Sequence, residues 1–424
     1  MADTQTQASL LIRQARLLDP ASDQDSVQDV LVEQGKITRI DARLDAPGVD
    51  SIDAAGLWLL PGLVDMGSPA MAIGNIAQET LAAASGGVTQ VGVYPSQICL
   101  LDNSAQLRLL QETAAQKGSA QLLPLVALTR ELKGEQLTDM QTLAQLGACA
   151  FSNAQRPIHS NLVLKRCLEY AATFDLMITF CPQDHDLAHN GCAHEGAVAS
   201  RLGLPGIPAS AETLALARAL LLAEETGVRI HIHHLSCARS LDQIRVARQR
   251  GVRVSCDVSI HHLLADESAI AQFDSQFHLR PPLRSAADRA ALLAGVADGT
   301  IDSITSQHTP LPTAAKQQPF GSSKAGIAGV ETLLPLLLQL VADHQLPLMR
   351  ALDAVTNAPA RAFGLDAGQI TTGRSANLCL VDAKQQARPQ DHWQSGGRNS
   401  PWLDQLLPGK VRLTLCEGRI TFQC

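Results

Sequence analysis

Apolar residues in this chain gather into short runs, separated by longer stretches in which they recur at helical intervals. The runs at 63–65, 88–93, 121–127, 148–151, 176–180, 229–233, 253–258 and 303–305 predict eight strands. Short apolar runs of this kind suit strands buried on both faces of a parallel sheet. Between them, 107–116, 162–173, 211–226, 241–250 and 287–296 read as helices, with 330–340 after the last strand and Ser160 and Ser240 as N-caps. Strands alternating with helices in this way predict an α/β fold of the (β/α)8 TIM-barrel type. An open doubly wound sheet would carry Gly-x-Gly-x-x-Gly at its first turn, and no such fingerprint occurs.

The two ends have a different pattern. Leu10-Leu11-Ile12, Val30-Leu31-Val32 and 37–40, with Gln34-Gly35-Lys36 as a turn, read as a small antiparallel sheet. Matching runs at 378–381, 411–416 and 418–422 imply that both ends build one composite β-domain. The organisation expected is therefore 1–58 (β-domain), 59–365 (barrel) and 366–424 (β-domain, second part). The Gly-, Ser- and Pro-punctuated segment 388–408 reads as a loop.

Composition narrows the function classes. A net charge of −7 with both signs dispersed provides no basic stripe for a phosphate backbone, which argues against nucleic-acid binding. The apolar stretch 333–342 is too short to span a bilayer, and the N-terminal segment lacks a basic region followed by an apolar one, so a cytoplasmic protein is expected. Ten cysteines are scattered without a Cys-x-x-Cys pair, which predicts reduced, buried thiols.

The candidate chemistry centres on Leu59 to Met71. Pro61-Gly62-Leu63-Val64-Asp65 resembles the opening of the amidohydrolase superfamily, and specifically the dihydroorotases. The resemblance extends along nearly the whole chain, through Gly86-Gly87-Val88-Thr89, Leu202-Gly203-Leu204-Pro205-Gly206-Ile207-Pro208, Pro281-Pro282-Leu283-Arg284, Gly329-Val330-Glu331-Thr332 and Asn357-Ala358-Pro359-Ala360. It implies a TIM-type barrel with a composite β-domain, a zinc centre that activates water, and an aspartate that moves the proton. The residues that would do this chemistry differ from the family pattern. Its His-x-His-x-Arg falls on Gly67, Pro69 and Met71, and its metal-bridging Asp on Asn153. Its fifth-strand His falls on Cys181, and its Asp-His-Ala-Pro-His on Gln307, His308, Thr309, Pro310 and Leu311. Two substrate-contacting asparagines fall on Ser96 and Arg280, while His234 keeps the family's sixth-strand histidine. Glycine and proline offer no ligand, and glutamine accepts no proton near neutrality.

These departures predict a pseudoenzyme with no catalytic residue and no zinc, in which His234 and His308 remain as site lining. A lesser reading rebuilds a residual metal site from Cys181, His231 and His234, with His231 and His233 on one strand face and His234 on the other. His261 and His262 are expected to bond backbone, and His185, His189 and His194 to be solvated. The resemblance further implies a structural role: noncatalytic dihydroorotase-like chains assemble with the catalytic chains of aspartate transcarbamoylase in pyrimidine biosynthesis, alongside contacts between copies of the chain itself. The alternatives are an active zinc-dependent cyclic amidohydrolase with an altered ligand set, and a regulatory subunit that senses a metabolite.

Overall fold

The structure, a computed structural model, describes residues 9–69 and 71–424. All eight expected barrel strands form: β1 (Leu63–Pro69), β2 (Val88–Tyr94), β3 (Gln121–Ala127), β4 (Ala150–Ser152), β5 (Met177–Phe180), β6 (Arg229–Ile232), β7 (Val254–Ser259) and β8 (Ser303–Thr305). They pair in chain order from β1 to β8, all in parallel. A side chain joins the two outer strands. Asp65 on β1 accepts the backbone N–H of Ser306, just beyond β8, at 3.1 Å, and also accepts the Ser306 hydroxyl.

The surrounding helices are α1 (Ile76–Ser85), α2 (Ser104–Lys117), α3 (Met140–Gln145), α4 (Asn161–Thr173), α5 (Ala209–Thr226), α6 (Ala238–Gln249), α7 (Ala286–Ala297) and α8 (Leu333–Ala342). Ser160 caps α4 through the Val163 N–H, as its sequence position suggests. Ser240 does not cap α6. That helix begins at Ala238 after Cys237, and Ser240 is buried inside it, donating its hydroxyl to the Glu212 carboxylate at 2.6 Å. The buried acceptor on α5 satisfies the hydroxyl better than a helix end would.

The terminal segments share one sheet. Leu10–Asp19, Gln24–Glu33 and Lys36–Asp41 run antiparallel, and Gln34 and Gly35 turn the second hairpin with φ of 50° and 77°, as a type I′ turn requires. Trp58–Pro61 stitches the two ends together, parallel to Leu10–Asp19 and antiparallel to Leu378–Ala387. The expected boundary therefore moves: residues 59–61 belong to the composite sheet rather than the barrel, because their backbone is already paired there. Leu407–Cys416 and Arg419–Gln423 complete the far edge.

Two apolar layers place the site. The main core lies between strands and helices, as with Leu107, Leu168, Leu216, Ile244 and Leu337. Inside the barrel, Val64, Met66, Leu123, Leu125 and Met177 pack with Phe363, leaving polar groups above them at the C-terminal strand ends. Within the expected loop 388–408, Asn399 folds back over that rim. Its amide donates to the carbonyls of Thr309 and Gly326, and its oxygen accepts from the Leu311 N–H. No helix among the described residues is long and apolar enough to cross a membrane.

Candidate functional site at the barrel mouth

Residues at the C-terminal ends of barrel strands converge on the mouth, and these positions carry the departures noted above. On β1, Gly67 faces inward with no room for a side chain. A Cβ there would lie 2.7 Å from Cβ and Oγ1 of Thr305 and 2.9 Å from Nε2 of His234. Pro69 lines the wall of the mouth, and Met71 packs against the main core. After β4, Asn153 is committed to structure: its oxygen accepts the Thr129 hydroxyl at 2.6 Å and its amide donates to the Arg156 carbonyl at 3.1 Å. Cys181, after β5, is a neutral thiol, its pKa pushed up to about 12 chiefly by burial.

The histidines after β6 are arranged around Asp257 of β7. His233 Nδ1 and His231 Nε2 lie 2.6 and 3.1 Å from the same oxygen of Asp257, while the His234 backbone N–H donates to the other at 2.6 Å. Burial alone would raise the Asp257 carboxyl, but the facing histidines hold it well below the usual carboxylate range. β6 ends at Ile232, and a left-handed turn at His234 (φ 57°) sets its ring 5.4 Å from that of His233. Strand alternation, which would separate the two, no longer applies there. Both ring nitrogens of His234 are buried without a hydrogen-bond partner, and burial lowers its pKa to about 4.

Beyond β8, Gln307 turns back with φ 49°, and its amide donates to the Arg280 carbonyl at 2.7 Å, leaving Oε1 buried and unpartnered. His308 does not line the mouth. It is clamped between Glu79, 3.0 Å from Nε2, and the Gly329 N–H, which donates to Nδ1 at 3.2 Å. His261 bonds the Ser306 carbonyl and the Trp402 indole, and His262 the Pro281 carbonyl. Of the three loop histidines only His189 is exposed; His185 lines the mouth and His194 bonds Arg284.

This donor set does not fit a dimetal centre. Among the positions that match family ligands, His234 alone offers an imidazole, and Thr305 and His234 close the space at Gly67. Among the described residues, the ligand atoms that do converge, within 4.8 Å, are those of His231, His233 and Asp257 rather than Cys181, His231 and His234. Both histidines already bond one oxygen of the Asp257 carboxylate.

Comparison with known proteins bears on the frame that holds these residues. The chain is 43% identical to a dihydroorotase-like protein of Pseudomonas aeruginosa, across 98% of this chain and all of that one. The chain belongs to the dihydroorotase-like family. The model of that family, described as dihydro-orotase-like, matches residues 56–240. A dihydroorotase-like protein of Pseudomonas putida is 42% identical over 96% of this chain and 97% of its own, and a dihydroorotase of Syntrophotalea carbinolica is 37% identical over 98% and 99%. In structure, the chain is similar to an L-hydantoinase (dihydropyrimidinase) from Arthrobacter aurescens, with TM-score 0.86 at 22% identity, covering 98% of this chain and 96% of that one. That likeness concerns the fold.

Asp257, Arg156 and Glu79 belong to the mouth or its support, although none was singled out in the sequence. Asp257 alone left a signal, a carboxylate in the middle of an apolar strand that needs buried partners. The loop position of Arg156 and the helical position of Glu79 carry no pattern.

Proposed function

We propose that this dihydroorotase-like chain is a catalytically inactive homologue that serves as an assembly subunit of aspartate transcarbamoylase in de novo pyrimidine biosynthesis, in the cytoplasm. The observation that carries the inactive reading is Gln307. At the position of the family's proton-transferring aspartate stands an amide whose nitrogen is already donated to the Arg280 carbonyl. A neutral amide cannot take a proton from water near pH 7, no carboxylate is among the described residues lining the cavity, and the nearby Asp257 is already engaged by His231, His233 and the His234 N–H. The absence of a fitting donor set at Gly67, Pro69, Asn153 and Cys181 supports the same reading for zinc.

The assembly role is supported by what the frame keeps and what its surface presents. The Gly, Pro and apolar packing positions hold a complete barrel, and the neighbouring helices α4, α5 and α6 turn Leu162, Leu214, Leu221 and Val246 towards solvent, each 46–63% exposed. Such a patch suits a partner interface, for which about 1,000 Å² of buried surface is the threshold of stability. The test is to mix the purified chain with the transcarbamoylase catalytic chain and measure mass by light scattering. A stoichiometric complex, with transcarbamoylase activity or assembly changed from that of the partner alone, is the expected result. Independent migration at micromolar concentration overturns the assembly role, and dihydroorotate turnover that persists through purification overturns the inactive reading.

A further inference from the structure

The segment 389–400, between the last strands of the composite sheet, is held to the barrel by two carboxylates that take three consecutive backbone N–H groups. Glu331 accepts those of Gln394 at 2.7 Å and Ser395 at 3.0 Å, and Glu79 on α1 accepts that of Gly396 at 3.0 Å. The Ser395 hydroxyl also donates to Glu79, at 2.8 Å. Further along the same segment, the Asn399 side chain fixes Thr309, Leu311 and Gly326, and its backbone carbonyl accepts the Ala328 N–H at 2.9 Å. Thr309 and Gly326 belong to the wall of the mouth, so the segment is a strap that holds one side of the rim in place.

The clip is short of positive charge. Burial would raise Glu79, but His308, whose Nε2 lies 3.0 Å away, outweighs it and holds the carboxyl below its ordinary value. Glu331 has no such partner: besides the two N–H groups, it accepts only the Ser85 hydroxyl among the described residues. His392 of the strap and Lys410 of the strand Leu407–Cys416 line the small cavity beside it, and neither pairs with it. Ionising Glu331 therefore places a second negative charge on the same three-residue stretch, with one imidazole to offset the two. We propose that the strap is a pH-operated catch: protonated Glu331 lets it lie closed, and loss of that proton to water releases residues 389–400 and, with them, the rim that carries Thr309 and Gly326. Burial raises the Glu331 carboxyl to about 7 in the closed form, against an ordinary value of 4.5 once opening exposes it. The open strap thus gives up its proton at a lower pH than the closed one, so raising the pH favours opening until the closed form ionises as well. The catch belongs to the isolated chain and does not depend on assembly with transcarbamoylase.

Hydrogen exchange on the full chain, read by mass spectrometry from pH 5.5 to 8.5 and corrected for the intrinsic exchange rate of each amide, tests it on peptides covering 389–400, with the barrel strand Ser303–Thr305 as the internal reference. The opening equilibrium of the strap should rise by about twentyfold between pH 5.5 and 7.5 and level off above that. The buried histidines tighten the rest of the fold over the same range, so the reference strand should move the other way or not at all. Glu331→Gln, whose side chain does not titrate, should remove the pH dependence of the strap. Ser395→Ala takes away the hydroxyl bond to Glu79 but leaves Glu331 in place, so it should open more than the native chain at every pH with the same dependence; it decides the matter if Glu331→Gln does not fold. The proposal is overturned if strap opening is flat or falls between pH 5.5 and 7.5, if Glu331→Gln keeps the native dependence, or if Ser395→Ala opens no more than the native chain.

Discussion

Gly67 and His234 occupy each other's space: a Cβ on Gly67 would lie 2.9 Å from Nε2 of His234 and 2.7 Å from Thr305. The space that a first-strand histidine at this position would fill is closed. Gly67→Ala should then destabilise the chain by about 1–3 kcal/mol through overpacking, and Gly67→His by more. Denaturant titration reads both. Zinc in excess should not rescue Gly67→His combined with Pro69→His, because Asn153, Cys181 and Gln307 still provide no charged ligand. Recovery of stability with zinc would show that the site can be rebuilt from β1 alone.

His234 itself should be dispensable, and its removal beneficial. Two buried ring nitrogens without partners carry a desolvation cost that an apolar side chain of similar volume avoids. His234→Leu should raise stability at pH 7.5 by about 1 kcal/mol, the left-handed backbone there offsetting part of the gain. A loss of several kcal/mol, or loss of a tightly held metal measured by elemental analysis, would mean that the imidazole has a ligand to hold.

The barrel strands and their flanking helices were legible in the sequence because apolar runs and helical periodicity record burial directly. The departures at Gly67, Asn153 and Gln307 were equally legible, since residue identity alone removes a ligand. What the residues form instead was not. That Asn153 bonds Thr129, that His308 turns to Glu79, and that the histidines after β6 gather on Asp257 all depend on contacts between distant segments. His234 shows the reason most clearly: the strand stops one residue earlier than its apolar pattern suggests, and a single positive φ moves the ring.

Buried histidines set the acid limit of the fold. Burial lowers His234, His262 and His278 to about 4 and His261 to about 3, so each stays neutral in the folded chain at pH values where the unfolded chain is protonated. Their stabilising effect is complete above the unfolded value of about 6.5 and is lost as pH falls from there. Glu331 works in the opposite direction: burial raises it to about 7, so its contribution is present at low pH and lost as pH rises through 7. Four groups outweigh one, and stability should fall by up to about 4 kcal/mol per pH unit between pH 6 and 5. Melting temperature measured from pH 7.5 to 5 checks this, and a flat profile would show that the histidines are not neutral inside.

The Asp65–Ser306 pair should be worth more than an ordinary surface contact. It links β1 to the segment after β8, and its carboxyl is raised by burial while the Ser306 hydroxyl and N–H favour the charged form. Ser306→Ala keeps the backbone bond and removes the hydroxyl, leaving a buried carboxylate oxygen short of a donor. The expected cost is about 2 kcal/mol by denaturant titration. A change within experimental error would mean that the barrel closes through packing alone.

The assembly reading makes a local prediction on the outer helices. Leu221 on α5 and Val246 on α6 line one shallow apolar groove whose rim carries Glu224, Asp242 and Arg250. Both residues are 46–60% exposed, so their replacement by aspartate should change folding stability by no more than about 0.5 kcal/mol. At the centre of an interface the same change buries a charge without a partner and should weaken association by about 2 kcal/mol or more. Val27, 57% exposed on the composite sheet, serves as the control surface. Leu221→Asp and Val246→Asp are expected to abolish complex formation with transcarbamoylase at micromolar concentration, with Val27→Asp leaving it intact. The reverse result would move the interface to the composite sheet. If all three variants assembled normally, neither apolar surface would be the point of contact, and polar faces of the barrel would have to carry it.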